Sequence, residues 1–212
     1  MCWASFFVMM VTDKRGMDRQ NGLGCRTNGL NMPRRHNQAN CPGCLPAGNY
    51  CIPSMDSRTP VIVAGGAGYI GSHMVRMLRE QGYRPIVVDN LSTGHADAVQ
   101  GAELHQGDIG DAAFMAALLR ETRPACVMHF AASSLVGESM QHPGKYWRNN
   151  LTQTLGLLDA MVETGVQAFL FSSTAAVYGT PHTTPIDESH PCHPINPYGH
   201  SKLAVEYLLQ DY

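Results

Sequence analysis

From Pro60 onward the sequence predicts a doubly wound, parallel α/β sheet of the Rossmann type. Three observations lead there. Short apolar runs alternate with amphipathic stretches of helical period. The first run leads straight into the glycine turn Gly65-Gly66-Ala67-Gly68-Tyr69-Ile70-Gly71 and then a helix. The second run ends on an acid, Asp89.

Val61-Ile62-Val63 is the first strand, and the helix after the glycine turn carries Met74, Val75, Met77 and Leu78. Pro85-Ile86-Val87-Val88 is the second strand and Leu104–Gln106 a short third. Residues Asp111–Glu121 form a helix with Phe114, Leu118 and Leu119 on one face. Cys126–Phe130 is the fourth strand. Pro143–Glu163 is one long helix with Leu151, Leu155, Leu158 and Val162 near a 3.6 period. Ala168–Phe171 is the fifth strand, and a last helix runs from Tyr198 to Tyr212. Strands joined by helices give right-handed crossovers, so the expected spatial order is third, second, first, fourth, fifth.

Residues 1–58 read differently. They hold seven Lys/Arg against three Asp/Glu, with frequent Asn, Gly and Pro and no sustained period. Breaks such as Met32-Pro33 and Cys41-Pro42-Gly43-Cys44 argue for a poorly ordered extension. His36, Cys41, Cys44 and Cys51 include a Cys-x-x-Cys that suits zinc. The second pair lacks close spacing and no apolar core surrounds it, so no metal is expected. Met55, just before the first strand, is an alternative start. The expected domains are thus 1–58, an extension, and 59–212, a dinucleotide-binding domain.

The 212 residues are 44% apolar and 15% charged, as in a globular chain. A net charge near −2 argues against a nucleic-acid or polybasic membrane partner. No apolar run is long enough to span a bilayer, and the opening apolar stretch lacks the charge and cleavage site of a secretory signal. A cytoplasmic location is expected. Five of the seven cysteines precede residue 59, so a disulfide framework for the main domain is not.

In the glycine turn, one glycine makes the bend, one lets the backbone approach a pyrophosphate, and one lets helix pack on strand. The helix N-terminus then offers N–H groups to phosphate. A carboxylate at Asp89 accepts hydrogen bonds from ribose hydroxyls and repels a 2′-phosphate, which favours NAD over NADP. The plain alternative is an ordinary turn acid. Asp108, after the third strand, reads alone as the N-cap of the next helix.

Tyr198-Gly199-His200-Ser201-Lys202 opens the last helix, and residues four apart share a face. A phenol with pKa of about 10 is a poor base at neutral pH; bringing it near 7 takes roughly 4 kcal/mol. A neighbouring ammonium in a dry cleft supplies such a bias. The plain alternative is a half-buried tyrosine beside a solvated lysine. Ser172-Ser173-Thr174 ends the fifth strand, where doubly wound sheets bind ligands. There a Thr174 hydroxyl either bonds a reacting oxygen or caps the turn.

The segments AGGAGYIGSH (64–73), VVDNLSTGH (87–95), GDI (107–109), HFAASSLVGES (129–139), YWRNN (146–150), FSSTAAVYG (171–179) and PYGHSKLAVE (197–206) together resemble the UDP-glucose 4-epimerases among extended short-chain dehydrogenases/reductases. The resemblance covers nearly all of the chain after residue 59 and none before it. It implies that Gly65, Gly68, Tyr69, Ile70 and Gly71 line the pyrophosphate. Asp89 and Asn90 would hold the adenosine ribose, and Asp108 and Ile109 would flank adenine. Phe130, Ala131 and Asn149 would lie along the cofactor. Thr174, Tyr198 and Lys202 would be catalytic, with Tyr198 and Lys202 also touching NAD. A UDP-hexose would be oxidised at C4 and reduced on its other face, with no metal.

The resemblance also implies a homodimer through helix 143–163 and the last helix, weakened because the last helix stops early. Two departures accompany it. Ser134 stands where some members carry a lysine. The family continues well past this helix, so the substrate-binding half is expected to be missing, which makes a non-catalytic fragment the alternative. A dehydratase or decarboxylase needs an extra acid and base after Thr174, where Ala175 and Ala176 stand.

Overall fold

The computed structural model describes residues 59–212 and, ahead of them, the backbone of Val8–Val11. The strands are β1 (Val8–Val11), β2 (Pro60–Ala64), β3 (Arg84–Asp89), β4 (Glu103–Gln106), β5 (Cys126–His129) and β6 (Ala168–Phe171). They form one sheet in the order β1-β6-β5-β2-β3-β4. From β4 to β6 every pairing is parallel, and the order of these five is the expected one.

β1 is a sixth strand beyond the five expected. It runs antiparallel to β6, with Val8 opposite Phe171 and Val11 opposite Ala168. Without it β6 would present an open row of backbone donors and acceptors to whatever lies beside it. Val-Met-Met-Val is an apolar run with β-branched ends that suits such an edge. So part of the segment expected to be irregular is written into the sheet. The candidate zinc residues His36, Cys41, Cys44 and Cys51 lie outside the described residues.

The helices are α1 (Tyr69–Glu80), α2 (Ala112–Thr122), α3 (Val136–Gln141), α4 (Pro143–Tyr146), α5 (Gln153–Thr164) and α6 (Pro197–Asp211). Both sheet faces are covered, which is why β2 and β3 are apolar at nearly every position. Alternate residues serve different cores. Ile62, Ile86, Val88, Val127 and Phe171 pack with Met115, Leu119, Leu157 and Val205 from α2, α5 and α6. Val61, Val63 and Val87 pack with Val75 and Leu78 of α1.

The helix ends follow local chemistry. Asp111 caps α2, its carboxylate accepting from Phe114 N at 3.0 Å. Asn196 caps α6 through Gly199 N at 2.8 Å, with Pro197 in the first turn. The capping residue of α2 is therefore Asp111 and not Asp108.

The expected single helix over 143–163 is instead α4, a π-type turn over Trp147–Thr152, and α5. An inserted residue of this kind is common at functional positions, and here it carries Asn149 and Asn150. The short α3 was not expected either. Leu135, Val136 and Met140 are exposed, so no buried stripe marks it. Among the described residues no helix is long and apolar enough to cross a membrane.

Leu157 is fully buried between α5 and the sheet, whereas Val162, five residues on, is 57% exposed. Leu157→Ala is expected to cost about 2–5 kcal/mol and Val162→Ala less than about 0.5 kcal/mol. Urea unfolding of the two variants measures the contrast.

Candidate active site

The glycine turn sits where β2 ends and is shaped by contacts that exclude side chains. Gly65 has φ +78, and a Cβ there would lie 2.4 Å from Ala131 N. A Cβ on Gly71 would lie 2.1 Å from Gly65 O. Gly68 differs: a Cβ there would meet only Gly65 O, at 3.3 Å. Its outer side is open, as a backbone that a ligand approaches must be. Gly68 is also the N-cap of α1 and provides no side-chain cap. The first-turn donors of α1 are thereby left to a ligand or solvent. Tyr69 and Ile70, beside them, are 73% and 53% exposed.

Asp89 ends β3 and is nearly buried. Its Oδ2 accepts from Ala67 N at 3.0 Å and its Oδ1 from Leu91 N at 2.8 Å. One carboxylate thus ties the glycine turn to the loop after β3, and each oxygen keeps a further lone pair. Asn90 is exposed and makes an Asx turn to Ser92 N. Asp108 is spent on structure: Oδ1 accepts from Gly110 N at 2.9 Å and Oδ2 from Gln153 Nε2 at 3.0 Å. Ile109 beside it is buried in the core.

At the end of β5, Phe130 N donates to Ala64 O, and Ala131 backs directly onto Gly65. Asn149 Nδ2 donates to Asn150 Oδ1 at 3.1 Å. Asn150 itself is buried and was not among the expected site residues. Its amide bonds Ser133 N, Ser133 O and Ser201 Oγ at 2.9, 3.0 and 2.9 Å. Ser201 Oγ donates on to Tyr198 O. The amide therefore fastens the loop after β5 to the first turn of α6. The paired asparagines in the sequence were its one visible signal.

His129, the last residue of β5, is fully buried between Phe169 and Phe171. Thr154 Oγ1 donates to Asn150 O at 2.7 Å, so it accepts from His129 Nε2 at 2.8 Å. The imidazole is thus the Nε2–H tautomer, and Nδ1 has no hydrogen-bond partner. Burial, helped by nearby Lys202, pushes its pKa down to about 3.

Tyr198 and Lys202 stand one turn apart on α6. Lys202 is buried, against the alternative of a solvated lysine. Its ammonium donates to Ser172 O at 2.8 Å and lies 4.5 Å from the centre of the Phe171 ring. Burial lowers its pKa to about 7, with Glu206 acting in the opposite direction. Tyr198 is half-buried and meets the Tyr146 ring edge-on, with centroids 6.3 Å apart. Thr174 Oγ1 accepts from Ala176 N at 3.2 Å, so it caps the turn while its own hydroxyl proton remains to donate. A Cβ on Gly199 would come 2.6 Å from Ala176 O. Only glycine after Tyr198 lets α6 come this close to the turn that Thr174 opens. Gly199 belongs with the site on this ground, and the sequence reading missed it.

A parallel sheet with a glycine turn, a strand-end acid and a Tyr-x-x-x-Lys pair whose lysine is buried defines the short-chain dehydrogenase/reductase class of fold. Residues 61–212 match the NAD dependent epimerase/dehydratase family, and the chain belongs to that family. It is 49% identical over 152 residues to a UDP-glucose 4-epimerase of Rhizobium leguminosarum bv. trifolii, covering 72% of this chain and 46% of that one. It is 51% identical to the UDP-glucose 4-epimerase of Streptococcus mutans, covering 71% and 46%. Among solved structures, the Brucella ovis UDP-glucose 4-epimerase in complex with NAD superposes with a TM-score of 0.72 at 49% identity, covering 73% of this chain and 47% of that one. The chain thus spans about half the length of the curated relatives it matches.

Because His129 is held neutral in the fold, the unfolded chain binds a proton near pH 6.5 and the folded chain only near 3. Stability is therefore lost as pH falls from 6.5 toward 3. His129→Phe is expected to remove a loss on the order of a few kcal/mol over that interval. Unfolding free energies of parent and variant across pH 3–7 give the difference.

Proposed function

We propose that this chain is the NAD-binding and catalytic half of a UDP-hexose 4-epimerase that interconverts UDP-galactose and UDP-glucose. The observation that carries the reading is the Lys202 ammonium, buried and fixed to Ser172 O, one helical turn from Tyr198 and beside the strand end that bears Thr174. The similarity of the chain to UDP-glucose 4-epimerases supports the substrate class.

The residues fit NAD. Gly65, Gly68, Tyr69, Ile70 and Gly71 would receive the pyrophosphate at the uncapped end of α1. Asp89 and Asn90 would take the adenosine ribose; the backbone at Asp108 and Ile109, whose side chains are engaged or buried, would flank the adenine; and Phe130, Ala131 and Asn149 would lie along the cofactor. When bound, NAD supplies a reversible acceptor for the hydrogen on the sugar C4, which lets a 4-keto sugar form and be reduced on either face.

The chain's own groups manage the proton. Tyr198 takes it from the C4 hydroxyl and returns it, so it must reach the phenolate near neutral pH. Lys202 supplies the favourable charge, in a setting dry enough to make that charge effective. Thr174 holds the reacting oxygen through its hydroxyl. Asn150 keeps Tyr198 in register with the loop after β5 through Ser201. Ala175 and Ala176 carry no proton, which sets this site apart from an eliminating one. A homodimer through the stretch from α4 to α5 and through α6 accords with the exposed Trp147, on the π-type turn between α4 and α5, and Tyr207 on α6.

Two outcomes are expected. The chain itself binds NAD more tightly than NADP, because a carboxylate beside a 2′-phosphate is repulsive. Asp89→Asn narrows that gap, as read by titration of both nucleotides; NADP binding as tight as NAD in the parent sinks the role of Asp89. Catalysis is assayed in a chimera of residues 59–212 with the second half of the Rhizobium leguminosarum relative. Tyr198→Phe should lose roughly 10²–10⁴ in turnover with NAD binding nearly intact. Near-parental conversion of UDP-galactose by Tyr198→Phe overturns the mechanism.

A further inference from the structure

Lys202 poses a problem that the catalytic reading leaves open. An ammonium this buried tends to shed its proton, yet the phenolate role of Tyr198 needs it charged. The groups around it are few. From β5 comes His129, held neutral and with no donor aimed at it. From β6 and its end come the Phe171 ring and Ser172 O. From α6 itself come Tyr198 and, one turn on, Glu206.

Glu206 is not a loose surface acid. It is half-buried, and Ser173 Oγ donates to its Oε1. Consecutive residues at the end of β6 are therefore stitched to consecutive turns of one helix face: Ser172 to Lys202, and Ser173 to Glu206. Thr174 is the next residue along.

We propose that Glu206, pinned by Ser173, is the counter-charge that keeps the Lys202 ammonium in place and fixes the Thr174 strand end against α6. It is a positioning residue for the reaction proposed above, and the inference rests on that reading for its purpose, though not for its test. The spacing makes the arrangement selective. At 1.5 Å rise per residue, Tyr198 lies about 6 Å along the helix from Lys202 and about 12 Å from Glu206. The phenolate thus feels the ammonium far more than the carboxylate, while the ammonium lies between the two. Glu206 stands one turn on along the same helix face, held there by Ser173, and its charge opposes the effect of burial on Lys202.

The chain makes the test direct, because it has only three lysines, Lys14, Lys145 and Lys202. With lysine labelled at ¹³Cε and ¹⁵Nζ, each gives its own NMR titration, and the signal lost in Lys202→Arg is assigned. Exposed Lys145 serves as the internal control. Glu206→Gln keeps the shape and a hydrogen-bonding group but removes the charge, and should lower the Lys202 midpoint by about one unit. Ser173→Ala leaves the charge but frees the side chain, and should lower it by less. A folded Glu206→Gln with an unchanged Lys202 midpoint overturns the proposal. If that variant does not fold, an unchanged midpoint in Ser173→Ala overturns it instead. Neither NAD nor sugar is present in this measurement. A failed epimerase assay with a shifted Lys202 midpoint would count against the function alone, and the reverse result against Glu206 alone.

Discussion

The site is organised around one unfavourable act, the burial of a lysine ammonium. Lys202 sits in the seam between α6 and the end of β6, with a carbonyl and an aromatic face as its nearest partners. A buried charge is held only where geometry supplies compensation from several sides. Much of the local sequence is explained by that need. Phe171 closes the floor, Ser172 turns its carbonyl toward the ammonium, and His129 stays neutral where a second cation would be intolerable. Glycine at 199 brings the helix close enough for the contact to form.

A second convergence joins this seam to the glycine turn. Parallel strands all finish on one edge, so β2, β3, β5 and β6 deliver Gly65, Asp89, Ala131 and Ser172 to the same side of the molecule. The contacts between them are tight and mostly backbone. Gly65 abuts Ala131, Gly71 abuts Gly65, and the Asp89 carboxylate holds Ala67 N. Such a floor has little freedom to adjust. What a ligand meets there is a shape fixed by the core beneath it, with the Gly68 side left open.

The sequence made much of this legible, for physical reasons that differ by position. The five parallel strands were visible because burial on both faces leaves unbroken apolar runs such as Val61–Val63 and Pro85–Val88. The glycine turn and Asp89 were visible because their residue types are demanded by backbone conformation and charge. Lys202 could be paired with Tyr198 by helical spacing, but its burial could not be read, since spacing says nothing of which face is covered. Asp108 and Asp111 are both acids ahead of one helix, and only the backbone path decides which of them caps it. The pairing of Val8–Val11 was hidden because its partner, the edge of β6, is some 160 residues away in the sequence.

The π-type turn illustrates a kind of information that periodicity hides. The apolar positions Leu151, Leu155 and Leu158 fit an uninterrupted helix, and so a single helix was expected. The buried stripe of α5 is instead Thr154, Leu157, Leu158 and Met161, with Leu155 and Val162 exposed, so the apolar spacing did not mark which residues pack. The π-type turn carries Asn149 and Asn150, and the buried Asn150 amide is satisfied by Ser133 on the loop after β5 and by Ser201 on α6. Were the turn re-registered, its side chains would be displaced around the helix axis. Either Asn150 would then lose a partner inside the core, at a cost of roughly 1–3 kcal/mol, or the loop after β5 would move relative to Tyr198. The irregular turn thus sits where the loop after one strand and the first turns of α6 are held in a single register.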